Sequence, residues 1–92
     1  MFRQAPGGQN FIIAMFRYES ESTPYRIKIP LDFGSANTVT LHKVKEHAPK
    51  KGNYRFYFKA NIDGDICLEE ETDNNALVPT FEEKIQIVCK ND

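Results

Sequence analysis

The clearest order along the chain is an alternation of apolar and polar positions. Asn53 to Ala60 reads NYRFYFKA, so Tyr54, Phe56 and Phe58 share one face and Arg55, Tyr57 and Lys59 the other. That period predicts a strand with one face against a core. Thr23 to Ile29 repeats the pattern, with Tyr25, Ile27 and Ile29 opposed to Arg26 and Lys28. Phe11 to Tyr18 (FIIAMFRY) starts apolar on both faces, which suits a central strand. The Asp63-Gly64 pair in Asn61 to Asp65 predicts a tight turn leading into a fourth, strongly acidic strand from Ile66 to Thr72. Lys84 to Lys90 (KIQIVCK) is the fifth, with Ile85, Ile87 and Cys89 on one side and Val88 on the other.

Between the second and third strands the period changes. Thr40 stands at an N-cap position ahead of Leu41, Val44 and Ala48 at helical spacing, and Pro49 ends the run. Asn74 to Leu77 predicts a short second helix or a turn. Pro24 and Pro30 bracket the second strand; proline donates nothing to a ladder, so this strand belongs at an edge. The order strand, strand, helix, strand, strand, turn or short helix, strand is that of an α+β, ubiquitin-like β-grasp with a five-stranded mixed sheet and one main helix. Residues 1–10, with Pro6, Gly7 and Gly8, read as a flexible lead-in, and 11–90 as one domain.

Composition narrows the function. A chain of 92 residues, 40% hydrophobic and 27% charged, fits one ordinary globular domain. Twelve basic and thirteen acidic side chains give a net charge of -1, without the basic field that drives nucleic-acid binding. The apolar run Phe11 to Phe16 is too short to cross a bilayer and lacks signal-peptide flanks, so no membrane insertion and a cytoplasmic setting are expected. Cys67 and Cys89 are then two free, half-buried thiols.

Candidate chemistry is sparse. Carboxylates around Gly64 resemble a calcium loop, but with Gly64 at the sixth position Lys59 falls where the first ligand belongs. His42 and His47 are five apart rather than at the i, i+4 spacing of a zinc pair, and read as surface histidines. No Gly-x-Ser-x-Gly elbow or phosphate loop is present, and neither cysteine has a histidine neighbour in sequence. No enzyme activity, metal or cofactor is expected. Arg55, Tyr57 and Lys59 interleave aromatic and basic residues as a nucleic-acid platform does, but the alternating aromatics are at core spacing and the next strand is acidic.

What remains is a segregation of charge. Arg26 and Lys28 make the second strand basic, while Glu69, Glu70, Glu71 and Asp73 make the fourth acidic. One reading is two solvated edges protected from aggregation by their charges. The sharper reading joins the basic edge of one copy to the acidic edge of the next, with ladder bonds for adhesion and charge for direction. Such a contact uses different patches on its two partners, so it propagates.

Three stretches carry a family resemblance: Thr23 to Pro30 (TPYRIKIP), Lys50 to Lys59 (KKGNYRFYFK) and Leu77 to Ile85 (LVPTFEEKI). Together they resemble the DIX domain of Axin and Dishevelled proteins, with the second and the Phe81-Glu82-Glu83-Lys84-Ile85 run nearer the Axin type. The resemblance implies a ubiquitin-like fold whose second and fourth strands lie on opposite edges and bind each other between molecules. It assigns Tyr25, Arg26, Ile27 and Lys28 to one interaction surface and Cys67, Leu68, Glu69 and Glu71 to the other. It also implies self-association, partnership with DIX domains of Axin or Dishevelled type, and a scaffold role in Wnt signalling. The turn at Asn61 to Asp65 is shorter than in the family and the loop from Leu31 to Val39 longer than in Axin. Two alternatives share the fold. Ile62-Asp63-Gly64-Asp65 and the acids after it suit a PB1 domain, and the fold alone suits a ubiquitin-like modifier, although Lys90-Asn91-Asp92 is no diglycine tail.

Overall fold

The computed structural model describes residues 10–31 and 38–92; the expected lead-in, apart from Asn10, and most of the loop from Leu31 to Val39 lie outside the described residues. The elements follow in the expected order: β1 (Phe11–Tyr18), β2 (Tyr25–Pro30), α1 (Leu41–His47), β3 (Tyr54–Ile62), β4 (Asp65–Glu71) and β5 (Ile85–Asn91). The strands form one sheet in the order β2-β1-β5-β3-β4. Neighbours are antiparallel except β1 and β5, which run parallel. The sheet is therefore mixed, as the β-grasp order requires.

Each strand's alternation selects the face it buries. Ala14, Phe16, Phe58, Ile85, Ile87 and Cys89 are fully buried on one side of the sheet, where Leu41 and Val44 of α1 and Val39 close over them. β1 lies inside the sheet, between β2 and β5, with Ile12, Ala14 and Phe16 buried under the helix and Ile13 and Met15 half-buried on the other face. With two turns only, α1 covers the central strands and leaves β4, exposed or half-exposed along its whole length, beyond its reach.

So short a helix needs its ends satisfied from outside. The Thr40 hydroxyl accepts from the Lys43 amide at 3.2 Å, and the Val44 amide donates to the Thr40 carbonyl at 3.0 Å. The two remaining first-turn amides reach across the chain, Leu41 to the Ala76 carbonyl and His42 to the Asn74 carbonyl, each at 3.0 Å. Residues 74–77 are thus an extended turn with an isolated bridge from Leu77 to Thr40, not a second helix. The segment spends its carbonyls capping α1. At the other end Lys51 donates to the Lys45 and Glu46 carbonyls at 3.1 and 3.2 Å, and the chain leaves the helix ahead of Pro49.

Two-residue turns close the lower rim. Asp63 (φ 54°) and Gly64 (φ 88°) join β3 to β4 as the Asp-Gly pair predicts, and Asn61 Oδ1 accepts from the Gly64 amide at 3.0 Å. The second turn had no signal in the sequence. Glu82 (φ 52°) and Glu83 (φ 67°) are both left-handed, between Phe81 and Lys84, whose backbones exchange bonds of 2.7 and 3.1 Å. Side chains with a Cβ pay about 1–2 kcal/mol for that conformation.

Candidate functional site: two open sheet edges

β2 and β4 end the sheet on opposite sides, and among the described residues nothing pairs with the outer edge of either. In an antiparallel ladder every second residue turns both backbone groups toward its partner. The Leu31 amide donates to the Asn10 carbonyl at 2.7 Å, so in this register Ile29, Ile27 and Tyr25 are the residues bonded to β1. The amides and carbonyls of Arg26 and Lys28 consequently face the open edge. Pro30 has the same parity, so its missing N–H falls on the outer side and removes no bond of the sheet.

The beginning of β2 is held by a polar clamp. Tyr25 donates its hydroxyl to Glu21 Oε1 at 2.7 Å, and the Lys50 ammonium pairs with the other oxygen of the same carboxylate. Hydrogen bonds from Lys50 and then Tyr25 hold the Glu21 carboxyl below its ordinary 4.5, and the bond to Glu21 pushes the Tyr25 hydroxyl up. Tyr18 lies edge-on to Tyr25, with centroids 5.8 Å apart, and accepts from the Lys50 amide at 3.2 Å. Burial raises Tyr18 to about 12. Lys50 and Glu21 are far apart in sequence and neither belongs to a periodic pattern, so only the structure brings them to Tyr25.

At the opposite edge, the Asp63-Gly64 hairpin closes on the Ile62–Asp65 pair, which is hydrogen bonded in this turn type. Parity then leaves the backbones of Ile66, Leu68 and Glu70 facing outward. Leu68 and Ile66 are 48% and 59% exposed, large apolar side chains on an edge that charge would otherwise blunt. The register sorts the carboxylates as the sequence could not. Glu69 and Glu71 sit opposite Phe58 and Phe56 on the helix side, whereas Glu70 sits opposite Tyr57 on the other face and pairs with Arg55 Nε at 3.2 Å.

The site residues expected from sequence thus divide by face and by edge. Tyr25 and Ile27 are half-buried on the helix side, and Arg26 and Lys28 are exposed on the helix-free side. Cys67, Glu69 and Glu71 share the helix side of β4, with Leu68 opposite. The two groups lie at opposite sides of one sheet and do not meet within a molecule. The two thiols are not alike: Cys67 is exposed, while Cys89 is fully buried and raised by burial to about 12. Half-burial failed for both because β4 escapes the helix and β5 lies under it.

Among the described residues, no other polar side chains gather into a site. A cleft of about 500 Å³ beside the end of α1 is lined in part by Lys45, Lys50 and Lys51, whose ammoniums already serve Asn74, Glu21 and the helix carbonyls. His42 pairs with Glu46 at 3.4 Å on the exposed side of α1. Among the described residues no group of three or more His, Cys, Asp or Glu could hold a metal, and no helix is long and apolar enough to cross a membrane.

A ubiquitin-like sheet with two unlike open edges defines an interaction module of the β-grasp class. The particular family follows from comparison with known proteins: the DIX domain profile matches residues 11–89, and the chain belongs to that family. It is 36% identical to Axin-1 of Gallus gallus over 80 residues, 84% of this chain and 9% of that protein. It is 32% identical to Axin-2 of Homo sapiens over 77 residues, 80% of this chain and 8% of that protein. Against the segment polarity protein dishevelled homolog DVL-3 of Xenopus tropicalis it is 34% identical over 76 residues, 82% of this chain and 10% of that protein. The chain therefore spans about a tenth or less of the length of these relatives. The Ile62-Asp63-Gly64-Asp65 stretch that suited a PB1 domain is the β3–β4 turn of a DIX domain.

Proposed function

We propose that this DIX domain is a non-catalytic module that joins copies of itself head to tail, the β2 edge of one copy adding to the β4 edge of the next. The observation that carries the reading is the pair of unpaired edges at opposite ends of one sheet, one basic at Arg26 and Lys28, the other acidic with Leu68 exposed. Backbone groups of Arg26 and Lys28 on one copy and of Ile66, Leu68 and Glu70 on the next form the ladder. In a sheet that continues across the contact, Arg26 and Lys28 share a face with Leu68 and Glu70, and Tyr25 and Ile27 share one with Cys67, Glu69 and Glu71. The Glu21 and Lys50 clamp presents Tyr25 in a fixed position.

Because the two surfaces differ, the contact does not close and propagates into a filament. Each contact is weak, of micromolar strength, about -8 kcal/mol. Assembly then multiplies the avidity of whatever the longer protein carries. The similarity to Axin and Dishevelled proteins supports a cytoplasmic scaffold role in Wnt/β-catenin signalling, with DIX domains of either type as heterotypic partners at the same edges.

Tyr25→Asp and Leu68→Glu test the arrangement together by sedimentation velocity. Each variant alone stays monomeric at concentrations where the unaltered chain polymerises, and the two mixed form one heterodimer through the intact pair of edges. An unaltered chain that stays monomeric, or variants that mixing does not rescue, would overturn the head-to-tail model.

A further inference from the structure

The helix-free face of the sheet carries an imbalance that the edge contact uses only at its margins, through Arg26 and Lys28 on β2 and Leu68 and Glu70 on β4. Register places Arg17, Arg26, Lys28, Arg55, Lys59 and Lys90 on it, opposed within the strands by the carboxylate of Glu70 alone. A chain of net charge -1 has therefore gathered half of its twelve cations on one surface. Arg55 is engaged by Glu70 at 3.2 Å and Asp92 at 3.9 Å. Arg17, Lys59 and Lys90 have no carboxylate partner among the described residues.

The centre of this face is mainly apolar, with the polar Gln86 beside Met15. Ile13, Met15, Val88 and Tyr57 are half-buried there with no covering layer among the described residues, and Arg17, Val88, Tyr57 and Glu70 form one row across four strands. Beside that row a hollow of about 450 Å³ opens between Arg17, Lys59, Ile66, Leu68 and Val88. It has the size for a large apolar side chain.

We infer that this face docks an acidic amphipathic helix of a partner protein, which completes a second layer on the sheet opposite α1. An anionic occupant follows from charge complementarity. A helix follows because the backbone groups of β1, β5 and β3 are already shared between sheet neighbours, which leaves no ladder for an added strand over the face. Amphipathicity follows from the apolar centre between rows of cations, which one helix matches with apolar residues at i, i+3, i+4 and i+7 flanked by Glu or Asp. A stacking platform for bases is disfavoured because the rings are occupied. Lys90 Nζ lies 5.0 Å from the Tyr57 centroid, Lys59 Nζ 4.7 Å from that of Phe81 and Lys28 Nζ 4.9 Å from that of Phe11.

The probe is a fluorescein-labelled peptide of about 20 residues, ~30 Å as a helix, with Leu at the apolar positions and Glu on both flanks. A twin carries Lys for every Glu. Fluorescence anisotropy is read in the Tyr25→Asp chain, whose change lies on the helix side of the β2 edge, so self-association does not enter. The acidic peptide binds saturably, the Lys twin does not, and Arg17→Glu with Lys90→Glu weakens binding at least tenfold while circular dichroism is unchanged. Arg17→Gln with Lys90→Gln gives a smaller loss in the same direction and serves if the charge reversal fails to fold. Equal binding of the twin, no binding of the acidic peptide, or displacement of the bound peptide by poly(U) or by phosphatidylserine vesicles would refute the docking of an acidic helix. Sedimentation of the Arg17→Glu, Lys90→Glu chain with native Tyr25 separates the two proposals, since the edge contact is expected to survive it.

Discussion

Proline substitution along β2 tests the strand's parity and its proposed use together. Lys28 and Ile27 are neighbours, but the Ile27 N–H belongs to the β1 ladder and the Lys28 N–H faces outward. Ile27→Pro deletes a bond to Ala14, which is fully buried, and strips its carbonyl of a donor. The bond contributes about 0.5–1.5 kcal/mol and the stranded carbonyl costs about 1–3 more. With the loss of a half-buried isoleucine, the sum is roughly 2–6 kcal/mol, a large part of a small domain's stability. Lys28→Pro deletes no intramolecular bond, and Pro30 already occupies the same parity two residues on, so monomer stability changes by less than about 1 kcal/mol.

Association responds in the opposite order. The ring of Lys28→Pro removes an outward donor and places its Cδ where an incoming strand must approach, so each contact weakens at least tenfold, about 1.4 kcal/mol. Urea unfolding at low concentration measures the first effect and sedimentation velocity at high concentration the second, with Lys28→Gln separating lost charge from lost backbone donor. If Lys28→Pro unfolds as readily as Ile27→Pro, the parity is wrong. If it folds and polymerises like the unaltered chain, the β2 edge is not the contact.

The left-handed turn at Glu82 and Glu83 is expected to yield to better turn chemistry: Glu82→Asn with Glu83→Gly should stabilise by about 1–2 kcal/mol, read as a higher urea midpoint, and no gain would show that the turn is unstrained. Glu21 gives a pH signature. A carboxyl held below its ordinary 4.5 adds stability that is complete above that value and is lost as pH falls through the folded one. Glu21→Gln should therefore lower the melting temperature above about pH 5 and converge with the unaltered chain in acid; parallel curves would dismiss the clamp. A thiol titration should find Cys67 reactive in the native state and Cys89 only after denaturation, a prediction that fails if both react together.

Legibility in the sequence followed how local the governing physics is. The alternation of Tyr54, Phe56 and Phe58, the Asp63-Gly64 turn, the Thr40 cap and the edge position of β2 each depend on neighbours within a few residues, and each holds in the structure. Residues 74–77 were ambiguous because their conformation is decided by distant amides at Leu41 and His42 that need carbonyls. Glu82 and Glu83 were invisible for a related reason, since nothing in two glutamates favours positive φ and the return of the chain into β5 imposes it. The acidic strand shows the limit for function most directly. Glu69, Glu70 and Glu71 read as one charged block, yet a residue's face is fixed only once the hairpin register is set at Ile62 and Asp65. That register divides the block, leaving Glu70 on the face of Arg26 and Lys28 and already bound to Arg55. Charge alone is thus a thin basis for the edge contact. In the proposed contact, adhesion would come mainly from the exposed backbone of β2 and β4 and from Leu68, with Glu70 contributing only as far as Arg55 releases it.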